Sequence, residues 1–333
     1  MNKVSIIVCT YNPRQSIFKR CLQALDELQY APKFGCEIII VDNNSDCALQ
    51  NEGYITLFIS RGDNRTLISE KNPGLTYARL TGFRRSVGEI LTFVDDDNVL
   101  EGDYAQEALR LMDIQPDVGA VGAGIIDVEW ETTPSRWLRG YASVFQAKRF
   151  ETDQFGRTVG WANFYPPGTG LVVRRNVMQQ YADEVNQGVI SAADRQGRKL
   201  TSAGDAQIIY AAVKTGYRVG VSPRLHLTHL ISRRKARTPY VFKLVFGVMA
   251  GGQVALAESF PEQKFKLAAE VPKPGMVYWL LTKNILHKLF LLRLRSGPLD
   301  IIRQLGQLYG SYMATGRKPP RILVLAAKCF KYA

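Results

Sequence analysis

Leu91-Thr92-Phe93-Val94-Asp95-Asp96-Asp97-Asn98 is the stretch whose reading decides the fold. Apolar and β-branched residues run straight into three carboxylates, the pattern of a buried strand that ends at a sheet edge. Adjacent carboxylates repel one another, and a cation between them relieves the repulsion. Hard oxygen ligands of this kind suit Mg²⁺ or Mn²⁺, which bridge one or two carboxylates and the phosphates of a substrate. Ligands gather at the carboxyl ends of strands in open α/β sheets, so the triplet reads as a metal-diphosphate site. The alternative reading is an acidic loop capping a helix that starts near Val99.

Outward from the triplet the same grammar repeats. Residues 4–10 (Val-Ser-Ile-Ile-Val-Cys-Thr) form a near-continuous apolar strand of the kind buried in a parallel sheet. Tyr11-Asn12-Pro13 breaks it, and residues 16–28 carry helical spacing at Ile17, Cys21, Leu22, Leu25 and Leu28. Residues 37–41 give a second buried strand ending in Asp42-Asn43-Asn44-Ser45, and residues 54–60 a third. Asn72-Pro73-Gly74 opens a helix over 75–87, and Gly88-Glu89 leads into the strand that ends at the triplet. Strand–helix alternation with polar residues at each strand end predicts a doubly wound α/β domain.

Two nucleotide-binding fingerprints are missing. The position after the first strand reads Cys9-Thr10-Tyr11-Asn12-Pro13, not Gly-x-Gly-x-x-Gly, and no P-loop sequence occurs. What the strand ends do offer is a hydroxyl, an aromatic ring and an acid. Thr10 and Tyr11 can bind and stack on a base, and Asp42 can accept from a ring N–H or a ribose hydroxyl. Singly, each is equally a turn or cap residue; with the triplet they outline a nucleotide-diphosphate pocket.

The second half is less regular. Residues 118–126 read as a glycine-interrupted strand, and from 127 to 167 periodicity fades. Trp130, Trp137 and Trp161 stand there, able to stack on a ring of a ligand or to anchor a long loop. Gly168-Thr169-Gly170 marks a turn before a strand. Ser202-Ala203-Gly204-Asp205 then opens a helix with apolar residues at Ile208, Ile209, Ala212 and Val213, where Asp205 alone reads as a first-turn acid favoured by the helix dipole. Residues 216–221 form a strand after a glycine turn, followed by His226 and His229.

Order, spacing and strand context over the first hundred residues resemble family 2 glycosyltransferases of the GT-A fold. The residues that carry the likeness are Val4 to Asn12, Glu37 to Ser45, Asn72-Pro73-Gly74-Leu75-Thr76-Tyr77-Ala78-Arg79 and Phe93-Val94-Asp95-Asp96-Asp97-Asn98. The resemblance implies a mixed, mostly parallel sheet flanked by helices and inverting transfer from a nucleotide-diphosphate sugar. It implies that Thr10, Tyr11 and Asp42 hold base and ribose, with Arg79 near the diphosphate. Asp95, Asp96 and Asp97 then form the Asp-x-Asp site, with Asp97 the direct ligand of Mn²⁺ or Mg²⁺, joined by Asp95. His229 is the candidate histidine ligand, more so than His226; a surface or capping role is the other reading of both. Asp205 becomes the catalytic base. The family pair Glu-Asp reads Gly204-Asp205 here, and its Arg-Asn reads Arg79-Leu80. A sugar-phosphate nucleotidylyltransferase is a rival, but its glycine-rich activating loop with lysine is missing. A non-catalytic nucleotide-sugar-binding protein at a membrane is another, and it has no use for Asp205.

Composition bounds the rest. The chain has 333 residues, 46% hydrophobic and 22% charged, ordinary for a folded protein. Its five cysteines are scattered without metal-ligand spacing, and Met1-Asn2-Lys3 runs directly into a strand, so a reducing cytoplasm without a leader is expected. Residues 1–230 carry 25 Lys+Arg against 26 Asp+Glu, net −1, whereas residues 231–333 carry 18 against 4, net +14. The reading therefore divides the chain into a nucleotide-sugar half (1–118), an acceptor half (119–230) and a basic helical segment (231–333). That segment begins with Arg233-Arg234-Lys235-Ala236-Arg237. Neither residues 240–257 nor 276–294 reach the ~18 uncharged residues of a membrane span. In the second stretch Lys283, Asn284, His287 and Lys288 lie opposite Leu281, Ile285, Leu289 and Leu292, the pattern of a helix in an anionic membrane interface. Another amphipathic helix is expected over 299–313. The reading expects a protein peripheral to the inner face of the plasma membrane with a saccharide or lipid-linked acceptor; packing on the body or in a homodimer is the alternative use of these helices. No nucleic-acid-binding motif accompanies the basic segment.

Overall fold

The computed structural model describes residues 2–29, 35–191, 203–290 and 297–332, without the side chains of Asn2, Lys3, Ile285 and residues 287–290. Its strands are β1 (Asn2–Thr10), β2 (Gly35–Asp42), β3 (Arg65–Ser69), β4 (Ile90–Asp95), β5 (Asn98–Leu100), β6 (Val118–Trp130), β7 (Lys148–Arg149), β8 (Gln154–Gly156), β9 (Leu171–Arg174) and β10 (Arg218–Ile231). The helices interleaved with them are α1 (Gln15–Asp26), α2 (Gly53–Ile59), α3 (Leu75–Arg85), α4 (Tyr104–Ile114), α5 (Arg136–Arg139), α6 (Arg175–Asn186) and α7 (Gly204–Lys214). After the last strand come α8 (Thr238–Ser259), α9 (Pro261–Glu270), α10 (Pro274–Phe290), α11 (Gly297–Ala314) and α12 (Arg321–Cys329).

The strands form one sheet in the order β3-β2-β1-β4-β9-β6-β10-β5, with β7 beside β6 and β8 beside β10. Its longest ladders, β1 with β2 and β6 with β10, are parallel; β9 runs antiparallel between β4 and β6. Side chains of β1 alternate as a strand buried on both faces must. Val4, Ile6 and Val8 meet Phe18 and Leu25 of α1 and Phe58 of α2, while Ile7 and Cys9 meet Phe83 of α3, Tyr181 of α6 and Ile208 of α7. Helices therefore cover both faces, as the alternation predicts.

Register sets up the site. Thr10 pairs with Asp42, and Cys9 with Asp95, so three strands end level with one another. The triplet turns the chain from β4 into β5, which pairs antiparallel with β10 and puts His229 opposite Asn98. No helix starts at Val99.

One predicted strand is corrected. Residues 54–59 lie in helix α2, in which Ile55 and Phe58, three apart, are buried while Leu57 points outward. Helical spacing outweighs the β-branched composition of that run, and the third strand is β3 at the sheet edge.

The C-terminal helices build a separate core from Phe246, Leu281, Leu299, Tyr309 and Leu323, joined to the body by Leu138, Phe145 and Ile231. Against the sequence reading, α8 is long and apolar enough to cross a membrane, with mean hydropathy 1.5 over its best window, half of it buried. Here it packs on α11, where a Cβ at Gly306 would lie 2.6 Å from the Phe246 carbonyl and one at Gly310 2.4 Å from that of Ala250. Glycine lets the two backbones touch.

A further expectation gives way to packing. Leu281, assigned to a membrane face, is buried, and Asn284 bonds Gln304 of α11 at 2.7 Å. Those two residues line the inner face of α10; the side chains of Ile285, His287, Lys288 and Leu289, and all of Leu292, lie outside the described residues. Trp130 packs edge-on to Phe145 at 5.2 Å and Trp137 against Tyr141 and Phe242, so both anchor the long loop. Trp161 alone of the three stays open, 52% exposed.

Candidate active site

The acidic turn is held from several sides. Asn98 Oδ1 accepts the Asp95 N–H at 3.1 Å, its Nδ2 donates to Asp97 Oδ1 at 3.2 Å, and the Leu230 N–H reaches the Asp97 carbonyl at 2.8 Å. The Thr10 hydroxyl donates to Asp96 Oδ2 at 2.6 Å. Burial pushes the Asp96 carboxyl up to about 7; the charge of Asp97 and that of Asp95 add to the shift, while Lys235 and the Thr10 bond oppose it.

Asp97 has the opposite fate in the same turn. Burial would raise its pKa, but the Lys235 ammonium and the His229 ring outweigh burial and hold it well below the usual carboxylate range. Lys235 donates to Asp97 Oδ2, and His229 Nε2 stands 3.5 Å from Oδ1. The His229 Nδ1–H donates to the Phe145 carbonyl at 2.9 Å, which orients the ring with Nε2 toward Asp97. His226 lies elsewhere, paired with Asp127 at 2.9 Å.

Glycine joins the acidic turn to Asp205. Arg79 is buried, with its guanidinium 5.8 Å from the Phe93 ring of β4, and its charge acts on Cys9 together with those of Asp95 and Asp96. On its other side lies Gly168, where a Cβ would come 2.6 Å from Arg79 Nη2 and 3.2 Å from the Asp205 side chain. Asp205 Oδ2 accepts the Gly168 N–H at 3.1 Å, and Oδ1 accepts from Ala206 at 3.0 Å in the first turn of α7. Just beyond, Gly170 has φ +68°, with its carbonyl bonded to the Tyr104 hydroxyl at 2.6 Å. Asp205 is half-buried, open for contact with a substrate.

At the third strand end, Asp42 turns its oxygens onto its own loop, accepting from Ser45 at 3.1 Å and Leu49 at 3.2 Å. A carboxylate keeps further lone pairs for a ligand. Asn43 ties that loop to the next one, bonding the Asn72 carbonyl and the Gly74 N–H at 2.7 and 2.8 Å. Tyr11 is 46% exposed, its ring unburied at the mouth.

The donor set suits a divalent ion. Among the described residues no three acidic, histidine or cysteine side chains close on one point. Asp97 and His229 supply two converging ligands, and Mg²⁺ and Mn²⁺ sites of this kind take the remainder from water and substrate phosphate. Lys235, which touches the same carboxylate, reads in the sequence only as one member of the basic cluster 233–237. The signal was there: a lysine one short turn beyond the strand that bears His229.

A doubly wound, mostly parallel sheet with an Asp-x-Asp turn at the end of its central strands, flanked by helices on both faces, is the GT-A fold. The chain belongs to glycosyl transferase family 2, which it matches over residues 5–182. It is 33% identical over 123 residues to Glycosyltransferase GlyA of Streptococcus pneumoniae serotype 4, covering 36% of this chain and 16% of that one. It is 26% identical over 128 residues to the glucosyl-dolichyl phosphate glucuronosyltransferase of Haloferax volcanii, covering 37% of this chain and 38% of that one. The chain thus matches well under half the length of these curated relatives. Among solved structures it is similar to the mannosyltransferase PcManGT of Pyrobaculum calidifontis in complex with GDP-Man and Mn²⁺, with TM-score 0.52, 17% identity and coverage of 94% and 86%. It is also similar to GalNAc-T7 with UDP, GalNAc and Mn²⁺, with TM-score 0.50, 12% identity and coverage of 76% and 51%.

Proposed function

We propose that the protein is an inverting, metal-dependent glycosyltransferase that moves a sugar from a nucleotide-diphosphate sugar, a UDP-sugar, to an acceptor hydroxyl in cell-surface polysaccharide or glycolipid assembly. The observation that carries this reading is the separation of roles around Gly168: Arg79 on one side, Asp205 on the other, with the Asp95–Asp97 turn beyond Arg79. Thr10, Tyr11 and Asp42 hold base and ribose, and Arg79 and Asp96 border the diphosphate. Asp97 and His229 are the converging residues that would hold Mn²⁺ or Mg²⁺, with Asp95 beside them in the turn, and the ion when bound neutralises charge on the leaving diphosphate. Asp205 accepts the proton of the attacking hydroxyl. Asp205 as the one carboxylate assigned to the attacking hydroxyl supports direct displacement, and hence inversion.

The C-terminal layer is the part that meets an anionic membrane and keeps a lipid-linked acceptor near the site. Support comes from its net +14 and from the outward face of α10, where Met276, Trp279, Lys283 and Leu286 recur at helical spacing and are exposed. Trp279 and Lys283 stack at 4.9 Å. Aromatic and basic residues on one exposed face are what an interfacial helix needs. The place of action is the cytoplasmic side of the plasma membrane.

The test is Asp205→Asn, assayed by donor hydrolysis over a panel of nucleotide sugars and by calorimetry of nucleotide binding. Turnover should fall by roughly 10²–10⁴, the usual contribution of a general base, with binding kept within a few-fold. Turnover near the wild-type rate would remove Asp205 from this role.

A further inference from the structure

The basic cluster of residues 233–237 reads from sequence as the start of the membrane tail. The structure gives one member of it a different address. Lys235 stands in the turn between the end of β10 at Ile231 and the start of α8 at Thr238, with its backbone N–H on Ser232 Oγ at 3.4 Å. From there its side chain folds back to Asp97 and is 26% accessible, while Asp97 is 5% accessible. The ammonium thus sits on the carboxylate that, with His229 Nε2 at 3.5 Å from its other oxygen, is the converging pair for a divalent ion.

A buried carboxylate beside two others needs a cation at all times, because an uncompensated buried charge is strongly unfavourable. A lysine ammonium and a divalent ion cannot share Asp97 Oδ2 at bonding distance. Lysine is a compact charge on a flexible four-carbon stem, so it can leave and return without refolding its surroundings. Once displaced it needs another anion, and the nearest new one is the diphosphate that the divalent ion brings to the same turn.

We propose, resting on the nucleotide-sugar reading above, that Lys235 is an exchangeable place-holder cation. It neutralises Asp97 while no divalent ion is bound, yields that carboxylate when one enters, and then donates to the diphosphate of the donor. Lys235 is therefore a competitor for the metal and a partner for the nucleotide. Removing it should move the two affinities in opposite directions.

The experiment uses the full chain and its Lys235→Met and Lys235→Arg variants, with melting curves confirming that each folds. Mn²⁺ binding is read by electron paramagnetic resonance without nucleotide, and UDP and GDP binding by calorimetry at saturating Mn²⁺. Lys235→Met should bind Mn²⁺ about tenfold more tightly, because the competing state is gone, and bind the diphosphate about tenfold more weakly. Lys235→Arg should stay nearer the wild type in nucleotide affinity, since it keeps the cation. Weakening of both affinities in a folded Lys235→Met protein would make the lysine a structural pin and overturn the proposal. Tightening of both would make it only a competitor that never reaches the phosphates, which also overturns it. Asp97→Asn distinguishes failure of the underlying reading: if that variant binds Mn²⁺ as the wild type does, the metal site is elsewhere and the proposal falls with it.

Discussion

The sheet-bearing body and the C-terminal helices meet charge in opposite ways. In the body, residues 1–230 are nearly balanced, and buried or half-buried charges find specific atoms: Arg65 on Asp26, Lys214 on Glu184, Thr10 on Asp96. In the segment from 231 to 333, four acids cannot pair with eighteen bases, so most of those bases must find partners outside the segment or face solvent. The body uses charge to build a site whose members are each held in place, whereas the helices carry charge as a field. Lys235 is the crossing point, a base of the second region spent on an acid of the first. A field tolerates the loss of one member; a paired site does not.

The largest expected effect follows from that asymmetry. Asp97→Asn removes the carboxylate that accepts from Lys235 and faces His229. Mn²⁺-dependent nucleotide binding should fall by two orders of magnitude or more, as loss of a metal ligand typically costs at least the ~10–100-fold of an outer-shell partner. The fold should persist, since the amide oxygen can still accept from one of the two donors, Asn98 or Lys235. Calorimetry in Mn²⁺ and in excess chelator checks it; equal affinity in both media for the wild type would erase the distinction between site and field.

A smaller effect separates two neighbours within the site. The Asp96 carboxyl is raised to about 7 from an ordinary value near 3.8. Between those values the folded protein holds a proton that the unfolded chain has lost, so stability from this group is present at low pH and is lost as pH rises toward 7. Asp96→Asn, which keeps an acceptor for Thr10, should therefore melt several degrees above the wild type near pH 8 in chelator and close to it near pH 4. A gap independent of pH would mean that Asp96 is not the group under electrostatic stress.

The body was legible because its chemistry lies where strands end, and strand ends are written locally. The apolar run 91–94 entering Asp95-Asp96-Asp97 needs no long-range knowledge to be read. Pairing across the chain is harder to see: that His229 comes opposite Asn98 depends on β5 running antiparallel to β10, and β5 is only three residues long. Residues 54–60 misled because β-branched composition and helical spacing point different ways, and packing against Phe18 and its neighbours decides. On α10 both faces carry apolar residues, so periodicity alone could not say that Leu281 would turn inward and Trp279 outward. Tertiary contact chose the face.

That choice gives the last and smallest prediction. If the helices act as a field, the outward stripe of α10 is where it touches an anionic leaflet, with Trp279 and Leu286 entering the interface and Lys283 above them. Each basic residue near such a surface contributes about 1 kcal/mol, fading within roughly 10 Å at moderate salt. Lys283→Glu reverses one of many such charges, a change of about 2 kcal/mol, so vesicle binding should drop by roughly thirtyfold and not disappear. Adding Trp279→Ser should lower it further without changing donor hydrolysis, since neither residue belongs to the site. Sedimentation with anionic vesicles at low and high salt, against neutral vesicles, measures this. Loss of binding through Lys283 alone would mean a specific headgroup contact, a paired site like Asp97 in the wrong region. Binding that ignores salt would mean that the apolar stripe, not the charge, holds the helices to the membrane.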